Sequence, residues 1–238
     1  MNLKNLIDLS LFVLTRCISC DIDFPTSETF PICVICQNAL LPGLNLHTFS
    51  SDWIDSQYSL YQLTDAAYPV LRRWKTRRGP LFDRQVLKRV DLVKLFNYLD
   101  DQKTQAIVPM PQDYRRSWKM GGSPAMVLAQ FVSLTSQRPL LGNILTRTHD
   151  RKGKRQAELL GWDRIQTRLH FKVKKNSLGL GSILLVDDFS TTGHTLNEAA
   201  RAIKEAGYGK IHTLCLGARS SLIPIQRNAL EHSVRARP

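Results

Sequence analysis

The chain has no apolar run approaching the roughly 18–20 residues that a membrane-spanning helix needs. It is therefore read as a protein without a membrane span. It has no internal repeat and no low-complexity tract, and with 43% hydrophobic residues it is too apolar for a disordered chain. No Gly-Lys-Ser/Thr is present, which excludes a Walker A phosphate loop. Acidic residues are scarce: 20 Asp and Glu stand against 33 Lys and Arg, a net charge of +13. That balance suits polyanions, either nucleic acid or a phosphate-rich small molecule. The first residues, MNLKNLIDLSLFVLTRC, have Lys4 as their one early positive charge, Asp8 inside the apolar run and no small-residue cleavage site after it. Leu6–Leu14 reads as an amphipathic helix, a signal peptide being the alternative, and the expected compartment is the cytoplasm.

What is present is a core large enough for one α/β domain and a small appendage in 238 residues. The chemistry concentrates in Ile183–Leu196, ILLVDDFSTTGHTL. Ile183–Val186 reads as a buried parallel strand. Asp187 and Asp188 follow it, then the small and hydroxyl residues Ser190, Thr191, Thr192 and Gly193, then an amphipathic helix. Leu196, Ala199, Ala200 and Ile203 share one face of that helix, and Gly207 stands at its C-terminus. Ile211–Leu216 is the next strand, so residues 182–217 form one β-α-β unit of a parallel sheet. Ligands of such sheets bind beyond the carboxyl ends of the strands. A helix N-terminus there attracts anions. Carboxylates repel phosphate, so the acidic pair must face hydroxyls or a metal. A ligand carrying phosphate, vicinal hydroxyls and Mg2+ meets all three demands, which describes a sugar phosphate and in particular 5-phosphoribosyl-1-pyrophosphate (PRPP). Cys215 lies inside a strand and is read as a core residue.

Four of the five cysteines form two C-x-x-C pairs, Cys17/Cys20 and Cys33/Cys36. Two such turns can close a tetrahedral Zn2+ site, structural because all four positions are filled. Asp21 and Gln37 stand where zinc knuckles often carry glycine. Four free cysteines and two short disulfides are the alternatives.

Residues 41–55 read as a linker, 58–63 as a short strand and 66–74 as a helix ending in the basic cluster Arg72, Arg73, Lys75, Arg77 and Arg78. Basic residues at a helix C-terminus complement its dipole. Leu81–Leu99 reads as a second helix. Ala106–Val108 is a short strand stopped by Pro109-Met110-Pro111, a rigid turn leading to Arg115, Arg116 and Lys119. Such a loop suits a polyphosphate, an ordinary surface loop being the alternative. Pro124 opens a helix through Phe131, and Leu140–Leu145 and Phe171–Lys175 read as strands. Between Arg147 and Lys175 lie ten Lys and Arg against three acids, with 147–155 read as a mobile loop.

V-D-D-F-S-T-T-G-H-T resembles the PRPP-binding signature of type I phosphoribosyltransferases. Together with the four-Cys segment, V-P-M-P followed by R-R, and L-T-R…K-R-Q-A-E-L, it resembles the ComF/GntX family over residues 5–219. The resemblance implies a type I phosphoribosyltransferase-like parallel sheet flanked by helices, with a small N-terminal zinc-binding module. It divides the chain into a module over 1–55, a phosphoribosyltransferase-like domain over 56–219 and a tail over 220–238. Asp187 and Asp188 would hold the ribose 2′ and 3′ hydroxyls, directly or through Mg2+. Ser190, Thr191, Thr192, Gly193, His194 and Thr195 would cradle the 5′-phosphate. Met110, Pro111, Arg115 and Arg116, with Lys154 and Arg155 of the later basic loop, would face the pyrophosphate. Structural Zn2+ would sit on Cys17, Cys20, Cys33 and Cys36. Two positions depart from the family pattern: Gly121–Pro124 reads G-G-S-P, and Thr167 stands where an Asn is common. The implied reaction is a Mg2+-dependent phosphoribosyl transfer to a base or amine, a glycosyltransferase chemistry, in a family linked to competence and DNA uptake. The other reading is a non-catalytic PRPP-fold module that binds single-stranded DNA or a DNA-uptake partner. No general base is identifiable; His149, His170, His194 and His212 receive no catalytic role.

Overall fold

Ile183 to Val186 are fully shielded from water, as a continuous branched-aliphatic run between two layers of helices must be. In the computed structural model, which describes residues 13–17, 19–26, 32–40, 42–47, 51–76, 83, 86–112, 123–148, 170–175, 179–190 and 193–218, this run lies in the middle of the main sheet. The strands are β1 (Val13–Arg16), β2 (Asp23–Thr26), β3 (Pro42–His47), β4 (Ser56–Gln62), β5 (Ala106–Pro109), β6 (Leu145–Thr148), β7 (His170–Val173), β8 (Ser182–Ser190) and β9 (Lys210–Ala218). The helices are α1 (Val34–Ala39), α2 (Ala67–Thr76), α3 (Leu92–Asp101), α4 (Pro124–Ser136) and α5 (His194–Glu205).

The main sheet has the order β3-β4-β9-β8-β5. β4, β9, β8 and β5 run parallel, and β3 joins the edge antiparallel to β4. Two hairpins, β1-β2 and β6-β7, stand outside it. Because side chains alternate along a strand, β8 and β9 feed two cores. Ile183, Leu185, Ile211 and Cys215 pack under Leu196, Ala199, Ala200 and Ile203 of α5. Leu184, Val186, Leu214 and Leu216 pack on the opposite face with Leu71 and Trp74 of α2, Leu95 and Leu99 of α3, and Leu128 and Val132 of α4. This is the expected α/β sheet flanked by helices, and Cys215 is a core residue as read. No helix among the described residues is long and apolar enough to cross a membrane.

Several local expectations change. The stretch 41–55 contains β3, so it is not a plain linker; Pro42, Gly43 and Asn45 are tolerated on an edge strand, where one side of the ladder needs no partner. The single helix expected over 81–99 is broken. The described residues turn at Lys88–Val90, and α3 starts afresh behind Asp91, whose carboxylate accepts the Lys94 N–H. Leu140 contributes only an isolated bridge to Ile107, and the strand begins at Leu145. β8 runs on through Ser190, so the acidic pair lies inside the strand and not beyond it.

The cysteine segment shares the larger core. Cys17, Ile32, Cys33, Cys36 and Leu40 belong to the same apolar cluster as Tyr58, Leu71 and Trp74. An ion pair between Asp21 and Arg73 of α2 reinforces that contact, as do hydrogen bonds from the Arg89 guanidinium to the Gln37 carbonyl and side-chain oxygens.

Candidate functional site

The site forms where β8 ends beside β5 and hands over to α5. Pro109 pairs with Val186, and the Met110 N–H donates to the Val186 carbonyl at 2.7 Å. The rigid turn at Met110 and Pro111 therefore leaves the sheet next to the acidic pair. At the other side, Gly193 caps α5 with φ +71° and ψ −8°, a left-handed conformation that favours glycine. Asn197 N–H, one turn in, donates to the Gly193 carbonyl. The N-terminal N–H groups of His194, Thr195 and Leu196 precede the first bonds of the helix, which follows directly on β8.

Asp187 is half-buried and Asp188 is buried. The Asp187 carboxylate accepts the Asp188 N–H at 2.8 Å, and Asp188 Oδ1 accepts the Phe189 N–H at 2.7 Å. Burial and the adjacent Asp188 carboxylate push the Asp187 carboxyl up from 3.8 to about 7, against the pull of the Asp188 N–H and of the Lys75 and Arg147 charges. Lys75, near the end of α2, straddles Asp188: its Nζ lies 2.9 Å from Oδ1 and 2.8 Å from Oδ2. The same ammonium stands 5.2 Å from the centre of the Phe189 ring.

Two further polar atoms point to a ligand. Ser190 is 2% exposed, and its Oγ is buried with no hydrogen-bond partner. His194 Nε2 is likewise buried and unpartnered. Buried polar groups are normally paired, so an oxygen-rich ligand at the foot of α5 fits these residues. Behind the helix, the Ser51 hydroxyl bonds Asn197 Oδ1 and accepts the N–H groups of Trp53 and Ile54, which ties α5 to the chain entering β4.

The structure thus brings together Asp187, Asp188, Ser190, Gly193, His194, Thr195, Met110 and Pro111. Thr191, Thr192, Arg115, Arg116, Lys154 and Arg155 lie outside the described residues. Lys75 is a site residue that the sequence reading passed over as a dipole-complementing cation. Its contact spans 113 residues of chain, and nothing local distinguishes it from Arg72 or Arg73.

The second centre is the four-cysteine cluster. The four Sγ atoms all lie within 4.8 Å of one another, with Cys17, Cys33 and Cys36 buried and Cys20 exposed. All four are free thiols, so the disulfide alternative is not realised. A tetrahedral zinc with sulfur ligands at about 2.3 Å requires sulfur–sulfur separations of about 3.8 Å. Cys20 and Cys33 are already 3.6 Å apart. Cys17 Sγ accepts the N–H groups of Ser19 at 3.4 Å and Cys33 at 3.3 Å. Burial opposes ionisation of Cys17, but these N–H groups and that of Cys20 bring its thiol down from 9.0 to about 7. Burial pushes the Cys20 and Cys36 thiols up. The cluster fits a thiolate-bound divalent metal.

Comparison with known proteins bears on the first of these centres. The family model described as the phosphoribosyl transferase domain matches residues 163–227, which include β8, α5 and β9. Competence protein F of Haemophilus influenzae is 33% identical over 113 residues, covering 45% of this chain and 47% of that protein. Competence protein ComFC of Bacillus subtilis is 28% identical over 151 residues, covering 63% of this chain and 58% of that protein. The chain thus spans about half the length of the curated relatives it matches. Among solved structures, adenine phosphoribosyltransferase of Saccharomyces cerevisiae aligns with 13% identity and a TM-score of 0.43, over 79% of this chain and 90% of that one. Purine phosphoribosyltransferase of Pyrococcus horikoshii aligns with 18% identity and a TM-score of 0.36, over 53% of this chain and 70% of that one.

Proposed function

We propose that this chain, a member of the ComF family with a type I phosphoribosyltransferase-like fold, binds PRPP at the junction of β8 and α5 and transfers its 5-phosphoribosyl group to a base or amine. The observation that carries this reading is one juxtaposition: an acidic pair, a buried unpartnered Ser190 hydroxyl and a helix N-terminus meet at the carboxyl end of a parallel strand. Each suits one part of the ligand. The α5 N-terminus and Ser190, with Thr191, Thr192 and Thr195, take the 5′-phosphate. Asp187 and Asp188 take the ribose hydroxyls. The turn at Met110 and Pro111, with Arg115, Arg116, Lys154 and Arg155, takes the pyrophosphate.

Displacement of pyrophosphate at the ribose C1 builds positive charge on the sugar and negative charge on the leaving group. Carboxylates held under the sugar and cations held beside the pyrophosphate lower that barrier because they are oriented before the charges develop. Mg2+ bound with PRPP would add charge neutralisation at the pyrophosphate. The four-cysteine cluster would hold structural Zn2+; a role in competence, with DNA uptake as its expected setting, is supported by relatives named as competence proteins.

The test is a thermal-shift screen of Mg2+-PRPP with candidate bases, followed by an assay for pyrophosphate release. Asp187→Asn/Asp188→Asn should abolish both signals. Release at the wild-type rate by the double variant would refute the site. The basic stretch between Arg147 and Lys175 supports a second reading, a non-catalytic module that binds single-stranded DNA or a DNA-uptake partner. Steeply salt-dependent oligonucleotide binding without pyrophosphate release would favour it.

A further inference from the structure

Asp187 and Asp188 are neighbours in sequence but not equivalents in the structure. Both oxygens of Asp188 face the Lys75 ammonium, at 2.9 and 2.8 Å, and one of them also accepts the Phe189 N–H. Asp187 uses one oxygen on the Asp188 N–H, and the residue is less buried than Asp188. Lys75 is held in place from three directions. Its helix is anchored by the fully buried Leu71 and Trp74. The preceding Arg73 is paired with Asp21 of the cysteine segment. Its ammonium rests 5.2 Å from the Phe189 ring centre, a cation–π distance that favours the partly desolvated charge. A divalent ion approaching Asp188 would have to displace a cation already fixed on both of its oxygens.

We propose that Lys75 is the resident cation of this site: it positions the Asp188 carboxylate for the ribose hydroxyls, keeps divalent metal off it, and leaves Asp187 as the more open of the two carboxylates. Lys75 is a positioning residue, acting through Asp188. The inference rests on the reading of this site as the ribose-phosphate pocket.

The experiment uses the full chain, purified without chelator so that the cysteine cluster keeps its metal. Mn2+ binding is measured by electron paramagnetic resonance with no PRPP present. Lys75→Met should bind Mn2+ at least tenfold more tightly than the wild type, and Lys75→Arg should match the wild type. Lys75→Met/Asp188→Asn should return to weak binding. Calorimetry with Mg2+-PRPP should then show at least tenfold weaker binding for Lys75→Met and near-normal binding for Lys75→Arg. If Lys75→Met binds Mn2+ within twofold of the wild type, the proposal falls. If the wild type binds no PRPP, the ligand reading fails, while the Mn2+ measurement still decides the role of Lys75. Lys75→Gln serves as a second charge-removing variant. Failure of both uncharged variants to fold would make Lys75 a structural residue and overturn the proposal.

Discussion

Asp187→Asn should make the ligand-free protein more stable at neutral and alkaline pH while abolishing its response to PRPP. In the folded chain the Asp187 carboxyl titrates at about 7, against 3.8 in its ordinary state. Between those values the folded state binds more protons than the unfolded state, so stability falls as pH rises through this window. The difference between 3.8 and about 7 sets a ceiling of about 4 kcal/mol. The effective dielectric near protein carboxylates is closer to about 20 than to 4, so about 1–2 kcal/mol is expected. For a chain of this size each kcal/mol moves Tm by about 2–4 °C, so the gain is about 2–8 °C. Asparagine keeps an oxygen to accept the Asp188 N–H, and the comparison isolates the charge. The assay is differential scanning fluorimetry of both proteins from pH 5 to pH 8.5, in Mg2+-free buffer and again with Mg2+-PRPP. The variant should gain on the wild type progressively as pH rises, and only the wild type should shift with PRPP. A Tm difference that is zero or negative at pH 8, or that does not grow with pH, refutes the reasoning.

His212 should act in the opposite direction. It is 1% exposed, and burial lowers its titration from 6.5 to about 4, with Asp55 opposing and Lys210 and Lys204 assisting. Its contribution is complete above pH 6.5 and is lost as pH falls toward 4, up to about 3 kcal/mol. Urea unfolding at pH 7 and pH 4.5 should show a smaller loss in His212→Gln than in the wild type. Stripping metal from the cysteine cluster with a high-affinity chelator should lower Tm and shift Trp fluorescence to the red, because fully buried Trp74 shares a core with Cys17, Cys33 and Cys36. Metal analysis should give about one zinc per chain, and a ratio near zero would remove the premise. Gly209→Ala would place a Cβ 2.3 Å from the Gly181 carbonyl oxygen, a backbone atom that cannot rotate away. A cost of about 1–3 kcal/mol is expected in chemical denaturation.

β8 and α5 were legible in the sequence because each carries an unambiguous local pattern. Ile183–Val186 is continuous enough for a doubly covered strand, and Leu196, Ala199, Ala200 and Ile203 keep one helical face. β3 was not legible, because Pro42 and Gly43 signal a break wherever a long-range ladder does not overrule them. The helix expected over 81–99 showed an unbroken apolar period, but Asp91 restarts the chain as an N-cap, and period alone does not register a cap. The spacing of the four cysteines pointed to their clustering, yet gave no hint that the cluster packs into the main core. Asp187 and Asp188 were singled out from the motif. The asymmetry between them comes from Lys75, which belongs to a different element, and no local pattern carries it.

Three successive residues of α2 serve three different neighbours. Arg73 reaches the cysteine segment, Trp74 fills the core and Lys75 holds Asp188. Successive helical residues are set about 100° apart, so these three directions are fixed by the helix's phase as much as by its residues. One residue inserted or deleted upstream in α2 would turn all three at once. Arg73 would leave its partner, the indole would swing toward water and the ammonium would leave the acidic pair. A substitution in this helix disturbs one of these contacts, whereas a change in its length disturbs all three.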